Sequence, residues 1–171
     1  MYLTRLPNAP EDDYQVHQKI RKMFPGNQKI LFQRCDEGIF ILSEKKPGTV
    51  ISVKEIDISI YANGGQFPFS LRLNPAKRDK KTGKRVAIDP LEVKEWIKKQ
   101  LSSNAVGIEA NFQYLREGIR RSIRQGKTVS LVSVLTFGVL TIKDASLFQK
   151  ALTGGIGHGK GFGFGLINLF A

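Results

Sequence analysis

The order of predicted strands and helices indicates an α+β fold with antiparallel sheets. Short alternating segments are separated by few helices, and Pro, Gly, Asn and Asp punctuate the chain. Its 171 residues, 41% of them hydrophobic, suffice for one domain or for two small halves that share an interface. The order strand, helix, strand, strand, strand is typical of a ferredoxin-like half, and the remaining chain resembles a looser copy. The sequence therefore predicts two tandem ferredoxin-like halves, residues 1–88 and 89–171.

The first half opens with a short alternating strand, Tyr2–Leu6, and a turn rich in Pro and Asn. Asp12 and Asp13 are good N-cap residues, which predicts a helix from about Tyr14 to Phe24. Period-two alternation and intervening turn residues then predict four strands, at Lys29–Arg34, Gly38–Ser43, Val50–Tyr61 and Phe69–Leu73.

The second half follows a polar, hairpin-like tip at 77–85 that carries six cations in nine residues. Asp89 and Pro90 predict the start of a helix that runs to Gln100. A strand-rich segment at 129–142, a helix at 144–152 and a last strand at 166–170 complete this half. No regular element is assigned to 102–128, although its cations would form a basic stripe if the segment were helical: Arg116, Arg120, Arg121, Arg124 and Lys127.

The charge of the chain indicates an anionic partner. Twenty-seven Lys and Arg against fifteen Asp and Glu leave a net charge of +12, and nucleic acid is the most frequent polyanion to neutralise such an excess. A membrane surface is the alternative, but no basic amphipathic helix with an aromatic stripe is evident. The chain lacks a secretory-type start and a span long enough for a bilayer, so we expect a cytoplasmic protein without a membrane partner. With one cysteine, Cys35, and two histidines, we expect neither a metal site nor a cofactor.

The segment Gly154–Gly165 contains seven glycines together with Lys160, His158 and two phenylalanines. Glycine lets a polyanion approach the backbone, so the segment indicates phosphate or nucleic-acid contact, with a flexible loop as the alternative. Residues 154–160 fit G-x-x-x-x-G-K, but Gly161 stands where a P-loop needs Ser or Thr. We therefore expect no nucleotide cofactor. Phe162 and Phe164 alternate with glycine and are predicted as core residues of the last strand.

The first predicted helix carries the residues best suited to proton transfer. At about 100° per residue its apolar side chains form one arc, while Tyr14, His17 and Arg21 share the adjoining arc. Histidine can take and give a proton at cellular pH, and tyrosine can donate to a developing oxyanion. A histidine at the border of a helix face can equally be a packed or capping residue, and spacing alone does not decide between these interpretations.

Several motifs in the same order resemble the CasE family, the CRISPR repeat-processing endoribonucleases of type I-E systems. They are MYLTRL, the helix with YQVHQ and the following FP, LRLNPAKR with GKRVAI, EWIKKQL, and FGVLTIKDASLFQKALTGGIGHGKGFGFGLINL. The resemblance covers about three quarters of the chain. It implies two ferredoxin-like, RRM-like halves that bind the RNA hairpin of the CRISPR repeat along a basic face, and other Cascade subunits as partners.

The resemblance also implies metal-independent cleavage at the base of that hairpin, with 2′-OH attack that leaves a 2′,3′-cyclic phosphate and a 5′-OH. His17 would be the main general acid or base, Tyr14 would position it or share the proton transfer, and Lys160 would hold the scissile phosphate. A non-catalytic RNA-hairpin-binding subunit of the same fold is the alternative. The candidate RNA-binding residues are Arg21, Lys77, Arg78, Lys80, Lys81, Lys84, Arg85, Gly157, His158, Gly159 and Gly161.

Overall fold

A computed structural model describes residues 1–7, 12–24, 26, 28–48 and 52–169. The strands are β1 Tyr2–Leu6, β2 Ile30–Cys35, β3 Gly38–Ser43, β4 Val53–Glu55, β5 Gln66–Leu73, β6 Ala76–Arg78, β7 Arg85–Ala87, β8 Ile108–Arg124, β9 Lys127–Ile142 and β10 Ile167–Asn168. The helices are α1 Asp13–Met23, α2 Val93–Gln100, α3 Ser103–Val106 and α4 Ala145–Gly154. Short 3-10 turns lie at Ile58–Ile60 and Lys160–Phe162.

The strands form two four-stranded antiparallel sheets, which confirms the predicted fold class. The first sheet has the order β2-β3-β1-β4, and the second has the order β10-β5-β9-β8. Apart from the β6–β7 hairpin and the short helices α3 and Lys160–Phe162, the second unit reads β5, α2, β8, β9, α4, β10 in chain order, which is the βαββαβ pattern of a ferredoxin-like unit. The small β6–β7 hairpin is inserted between β5 and α2. The first unit reads β1, α1, β2, β3, β4, with no second helix among its described residues, and its strand order matches that of the second sheet. Two ferredoxin-like units therefore follow one another along the chain.

The division by sheets falls earlier than the predicted boundary after residue 88. Strand β5 pairs with β9 over its whole length and with β10 at Ser70 and Leu71. It therefore belongs to the second sheet, and the change from one sheet to the next lies between Glu55 and Gln66. Because both pairings join residues far apart in sequence, local patterns could not reveal this membership.

Helix α1 forms where the sequence predicts it, one residue earlier at each end. The Asp12 side chain accepts hydrogen bonds from the backbone N–H groups of Tyr14 and Gln15, and the Gln15 side chain accepts one from the backbone N–H of Asp12. This capping box fixes the start of the helix. Val16 and Ile20 then face the first sheet, where they pack with Phe24, Phe32, Ile39 and Ile41.

Other predicted elements differ in length or type. Residues 102–128, to which the sequence assigned no element, contain the short helix α3 and then the long strand β8. The cations from Arg116 to Arg124 therefore lie on a strand, and the basic stripe that a helix would give does not form. Helix α2 begins at Val93 rather than at Asp89, whose carboxylate accepts a hydrogen bond from the N–H of Leu91 in the preceding turn. The predicted strand 50–61 is reduced to β4 and a 3-10 turn, and its residues 50 and 51 lie outside the described residues. The last strand is only Ile167–Asn168, and the prediction for residue 170 lies outside the described part.

In the described ranges, no helix is both long and apolar enough to cross a membrane.

Candidate active site

Helix α1 and the glycine-rich segment 154–165, here called the glycine loop, meet at a surface cavity of about 410 Å³. Tyr14, His17 and Lys160, which lie far apart in sequence, line this one cavity together. The described residues that line it are Tyr14, His17, Gln18, Arg21, Arg124, Gly159, Lys160, Gly161 and Phe162. A phenol, an imidazole and three cations therefore surround a space that is open to solvent.

The His17 ring is held between two apolar surfaces. It stacks on Phe32, with ring centroids 6.0 Å apart and an angle of 12° between the planes. On the loop side, a Cβ added to Gly161 would lie 3.4 Å from Cε1 and Nδ1 of His17, at van der Waals contact, so the loop backbone lies close against the ring. Nδ1 is buried and has no hydrogen-bond partner in the described part of the chain. The nitrogen left for exchange with a ligand is therefore Nε2.

The surroundings of His17 favour its neutral form. Burial lowers the pKa of His17 below its usual 6.5, and the nearby charges of Arg21 and Arg124 lower the pKa further. A neutral imidazole can accept a proton directly, and an imidazolium formed beside two guanidinium groups loses its proton easily because the positive charges repel each other. The pocket thus suits reversible proton transfer at His17.

The Tyr14 ring connects the helix to two other parts of the pocket. It lies 5.6 Å from the Phe162 ring and 6.4 Å from the His17 ring, centroid to centroid. The guanidinium carbon of Arg124 lies 5.8 Å from the Tyr14 centroid, within the range of a cation–π contact. Phe162 was predicted in the last strand but lies in a 3-10 turn at the site, whereas Phe164 is fully buried, as predicted, though outside any strand.

Lys160 shares the cavity of His17, but its ammonium is turned toward its own loop. Nζ donates a hydrogen bond to the carbonyl oxygen of Gly157 at 2.6 Å. Burial lowers the pKa of Lys160. Since an ammonium has three N–H donors, the bond to Gly157 leaves two for an anionic ligand.

Most glycines of the loop are required by its own fold. Five of the seven glycines, at 155, 157, 159, 163 and 165, have φ between +70° and +88°. A Cβ on Gly165 would lie 2.5 Å from the carbonyl oxygen of Ile156, and a Cβ on Gly155 would lie 2.8 Å from Leu31 Cδ2. The high glycine content therefore reflects tight internal turns as well as any approach of a ligand.

One part of the loop keeps its backbone donors available. Among the described residues, the N–H groups of Gly157, His158 and Gly159 have no hydrogen-bond acceptor. His158 is exposed at the surface. The partial burial of its imidazole is the main cause that lowers its pKa, and the charges of Arg85 and Lys160 lower the pKa further. Unpaired backbone N–H groups beside a lysine are donors that a phosphate can accept hydrogen bonds from.

The six cations predicted at 77–85 lie on the exposed β6–β7 hairpin. Its tip is ordered by Asp79, whose carboxylate accepts hydrogen bonds from the backbone N–H groups of Lys81 and Thr82. Arg85 is close enough for its charge to act on His158. The hairpin therefore continues the basic surface of the glycine loop. Its cations are Lys77, Arg78, Lys80, Lys81, Lys84 and Arg85.

Arg124 lines the cavity but was not predicted as a site residue from the sequence. It lies at the end of β8, and the turn Gln125–Gly126 leads back into β9. The alternation Ile108, Ala110, Phe112, Tyr114 with polar residues between them was a signal for this strand. The contact of the strand's end with α1 joins distant parts of the chain and had no local signal.

A larger cavity, about 570 Å³, lies between the two sheets and contains none of the predicted site residues. Among its charged residues, Arg72 and Glu117 form a salt bridge with each other, with 2.7 Å between Nε and Oε2. Within the described ranges, no group of three or more His, Cys, Asp or Glu side chains is arranged to bind a metal ion. The cavity beside α1 is therefore the candidate active site.

Comparison with known proteins identifies the family. A family profile described as CRISPR associated protein matches residues 1–170. The Cascade subunit CasE of Escherichia coli strain K12 is 29% identical over 99% of this chain and 98% of its own length. The CRISPR-associated endoribonuclease Cse3 of Thermus thermophilus is 31% identical over 62% of this chain and 56% of its own.

Solved structures agree with the sequence comparisons. A CRISPR endoribonuclease Cse3 bound to a 19-nucleotide RNA superposes with a TM-score of 0.84 and 25% identity, over 98% of this chain and 99% of that one. Cas6e from Escherichia coli K-12 superposes with a TM-score of 0.73 and 26% identity, over 98% of both chains. The profile match and the full-length relatives lead to one conclusion: the chain belongs to the CRISPR-associated protein family and is a CasE member of it.

Proposed function

We propose that this protein is an endoribonuclease that cleaves CRISPR precursor RNA at the base of the repeat hairpin and stays bound to the mature guide RNA as a Cascade subunit. The observation that carries the proposal is the single cavity in which Tyr14, His17 and Lys160 meet two arginines. Relatives named as a Cascade subunit and as an endoribonuclease support the substrate and the assembly.

The proposed reaction uses the RNA's own ribose as nucleophile. The 2′-OH gives up its proton, its oxygen forms a bond to the neighbouring phosphorus, and the bond from phosphorus to the 5′ oxygen breaks. That leaving oxygen takes up a proton, so the products are a 2′,3′-cyclic phosphate and a 5′-OH. Such a reaction needs one group that accepts a proton, one that donates a proton and a cation near the phosphate.

The pocket offers a candidate for each requirement. With Nδ1 buried, Nε2 is the nitrogen of His17 left to accept or donate a proton, and the Tyr14 hydroxyl is proposed as the second group for proton transfer. Lys160 and the guanidinium groups of Arg21 and Arg124 supply the positive charge that the developing phosphorane anion needs. Either of the two assignments of acid and base to His17 and Tyr14 satisfies this geometry.

RNA binding is proposed to extend from the pocket over the glycine loop to the β6–β7 hairpin. The unpaired N–H groups of the loop would contact phosphates beside the cleaved bond, and the hairpin cations would follow the backbone of the stem. Double-stranded RNA is recognised chiefly through its shape and its phosphates, which suits a surface that presents cations and few base-reading groups.

Incubation of the purified protein with its own repeat RNA tests the proposal. We expect one cut at the base of the hairpin, full activity in EDTA, and product ends with a cyclic phosphate and a 5′-OH. Tight binding without a cut would instead identify a non-catalytic RNA-hairpin-binding subunit. Cleavage that stops in EDTA, or that leaves a 5′-phosphate, would contradict the proposed chemistry.

A further inference from the structure

Two neighbouring carboxylates tie the start of α1 to the far end of β8. Asp13 is 7% exposed, and its Oδ2 accepts a hydrogen bond from Nη1 of Arg120 at 2.7 Å. Its Oδ1 lies 3.7 Å from Nε of Arg34. Asp12 uses Oδ1 to cap the helix, while its Oδ2 accepts a hydrogen bond from the backbone N–H of Ile123 at 2.9 Å.

The N-cap of the helix does not depend on Asp13. Asp12 already supplies the N-cap contacts, and both long-range contacts join residues more than 100 positions apart, 107 for Asp13 and 111 for Asp12. A buried carboxylate is costly unless it is paired. The position of Asp13 between Arg34 and Arg120 therefore indicates that it holds parts of the tertiary structure together. It does so at the junction between the catalytic helix and β8.

Strand β8 is held at a second point just before this junction. Arg72 forms a bidentate pair with Glu117, at 2.7 Å and 2.8 Å, and also donates to the carbonyl oxygen of Arg34. Glu117 lies at the β-bulge between Arg116 and Gly118, and the Ser133 hydroxyl of β9 also donates to it. A strand that is fixed at 117, 120 and 123 has little freedom at its next residue, Arg124.

We propose that Asp13 is a positioning residue for the proposed cleavage: by holding Arg120 it keeps the end of β8 against α1, and so keeps the Arg124 guanidinium over Tyr14 in the active-site cavity. This inference rests on the proposed function. Asp13 itself does not line the cavity. It acts on the reaction only through the strand that it holds.

Single-turnover cleavage of the repeat RNA, with enzyme in excess of its Kd, tests the inference through Asp13→Asn, Arg124→Ala and the double variant. We expect Asp13→Asn to lower the cleavage rate about tenfold while RNA affinity stays within about threefold, as for a misplaced catalytic group. The double variant should be no more than about threefold slower than Arg124→Ala, because Asp13 is proposed to act only through the position of Arg124, whose side chain is already absent. Multiplied losses, or a wild-type rate for Asp13→Asn, would overturn the inference.

A second readout does not depend on cleavage. The pKa of His17 can be followed by NMR, with Asp13→Asn compared with the wild type. Loss of a carboxylate by itself lowers a histidine pKa, whereas movement of Arg124 away from His17 raises it. We expect a rise, and a fall or no change would show that Arg124 stays in place without Asp13.

Control variants keep the test decisive. Glu109→Gln neutralises an exposed carboxylate of β8 that pairs with Lys143 at 2.9 Å, far along the strand from the site, and should leave rate and pKa unchanged. If Asp13→Asn does not fold, Arg120→Lys keeps the charge but loses the guanidinium geometry, and it should give the same rate loss and pKa rise. If the wild type does not cleave, the proposed function fails and the NMR comparison alone decides on the junction.

Discussion

Substitution of Gly165 by alanine should destabilise the protein strongly, although the position lies outside the cavity. Gly165 has φ +86°, and an added Cβ would lie 2.5 Å from the carbonyl oxygen of Ile156. Its N–H and C=O both form hydrogen bonds, to Arg72 O at 2.8 Å and from Ile156 N at 2.9 Å. The residue therefore joins the glycine loop to β5, and relief of the clash must disturb one of these bonds.

The magnitude follows from these two costs. A left-handed conformation costs a residue other than glycine about 1–2 kcal/mol. Loss of one buried hydrogen bond adds about 1 kcal/mol. The sum, about 2–3 kcal/mol, corresponds to a fall in Tm of about 4–12 °C for a chain of this size.

Urea denaturation followed by circular dichroism measures the effect as a lower midpoint with an unchanged slope. Gly154→Ala is the matched control, since Gly154 ends α4, has no atom within 4 Å of an added Cβ and lacks a positive φ. We expect that variant to be as stable as the wild type or slightly more stable. Equal stability of Gly165→Ala and the wild type would refute the view that the loop's glycines serve its internal turns.

Three further changes test the site and its surroundings. Because a lowered pKa means that folded His17 binds its proton more weakly, the free energy of unfolding should fall as pH drops below about 6.5. Arg21→Gln should raise the pKa of His17, as measured by NMR, and make this loss of stability smaller; an unchanged pKa would contradict the effect assigned to Arg21. Gly161→Ala, with its Cβ 3.4 Å from the His17 ring, should keep Tm but lower single-turnover cleavage, and full activity would mean that RNA does not approach Gly161. Reversal of Lys80 and Lys81 to Glu should weaken RNA binding and flatten its salt dependence, and unchanged affinity would remove the hairpin from the interface.

Local signals in the sequence were sufficient for α1 and for the hairpin of β2 and β3. Asp12 and Gln15 form the capping box that starts the helix, and Gly38–Ser43 was predicted with the observed bounds. The arc that carries Tyr14, His17 and Arg21 follows from helical geometry alone, and all three line the cavity.

Features that depend on distant pairing were not predictable in this way. Strand β5 was assigned to the first half because nothing local shows that β9 and β10 are its partners. Strand β8 was missed because the alternation in the sequence ends at Tyr114, and beyond the bulge the apolar residues Ile119 and Ile123 stand four positions apart. For the same reason the contacts of Asp13 with Arg120 and of Tyr14 with Arg124 could only come from the structure.

The proposed mechanism requires that His17 transfers a proton during cleavage, within the cavity that it shares with Lys160. Its most direct test is single-turnover cleavage of the repeat RNA by His17→Ala, with the Kd for the RNA measured in parallel. Loss of a proton-transfer group predicts a rate reduced by about 100-fold or more, with RNA affinity within a few-fold of the wild type. Cleavage by His17→Ala at the wild-type rate would show that His17 does not transfer a proton in the reaction.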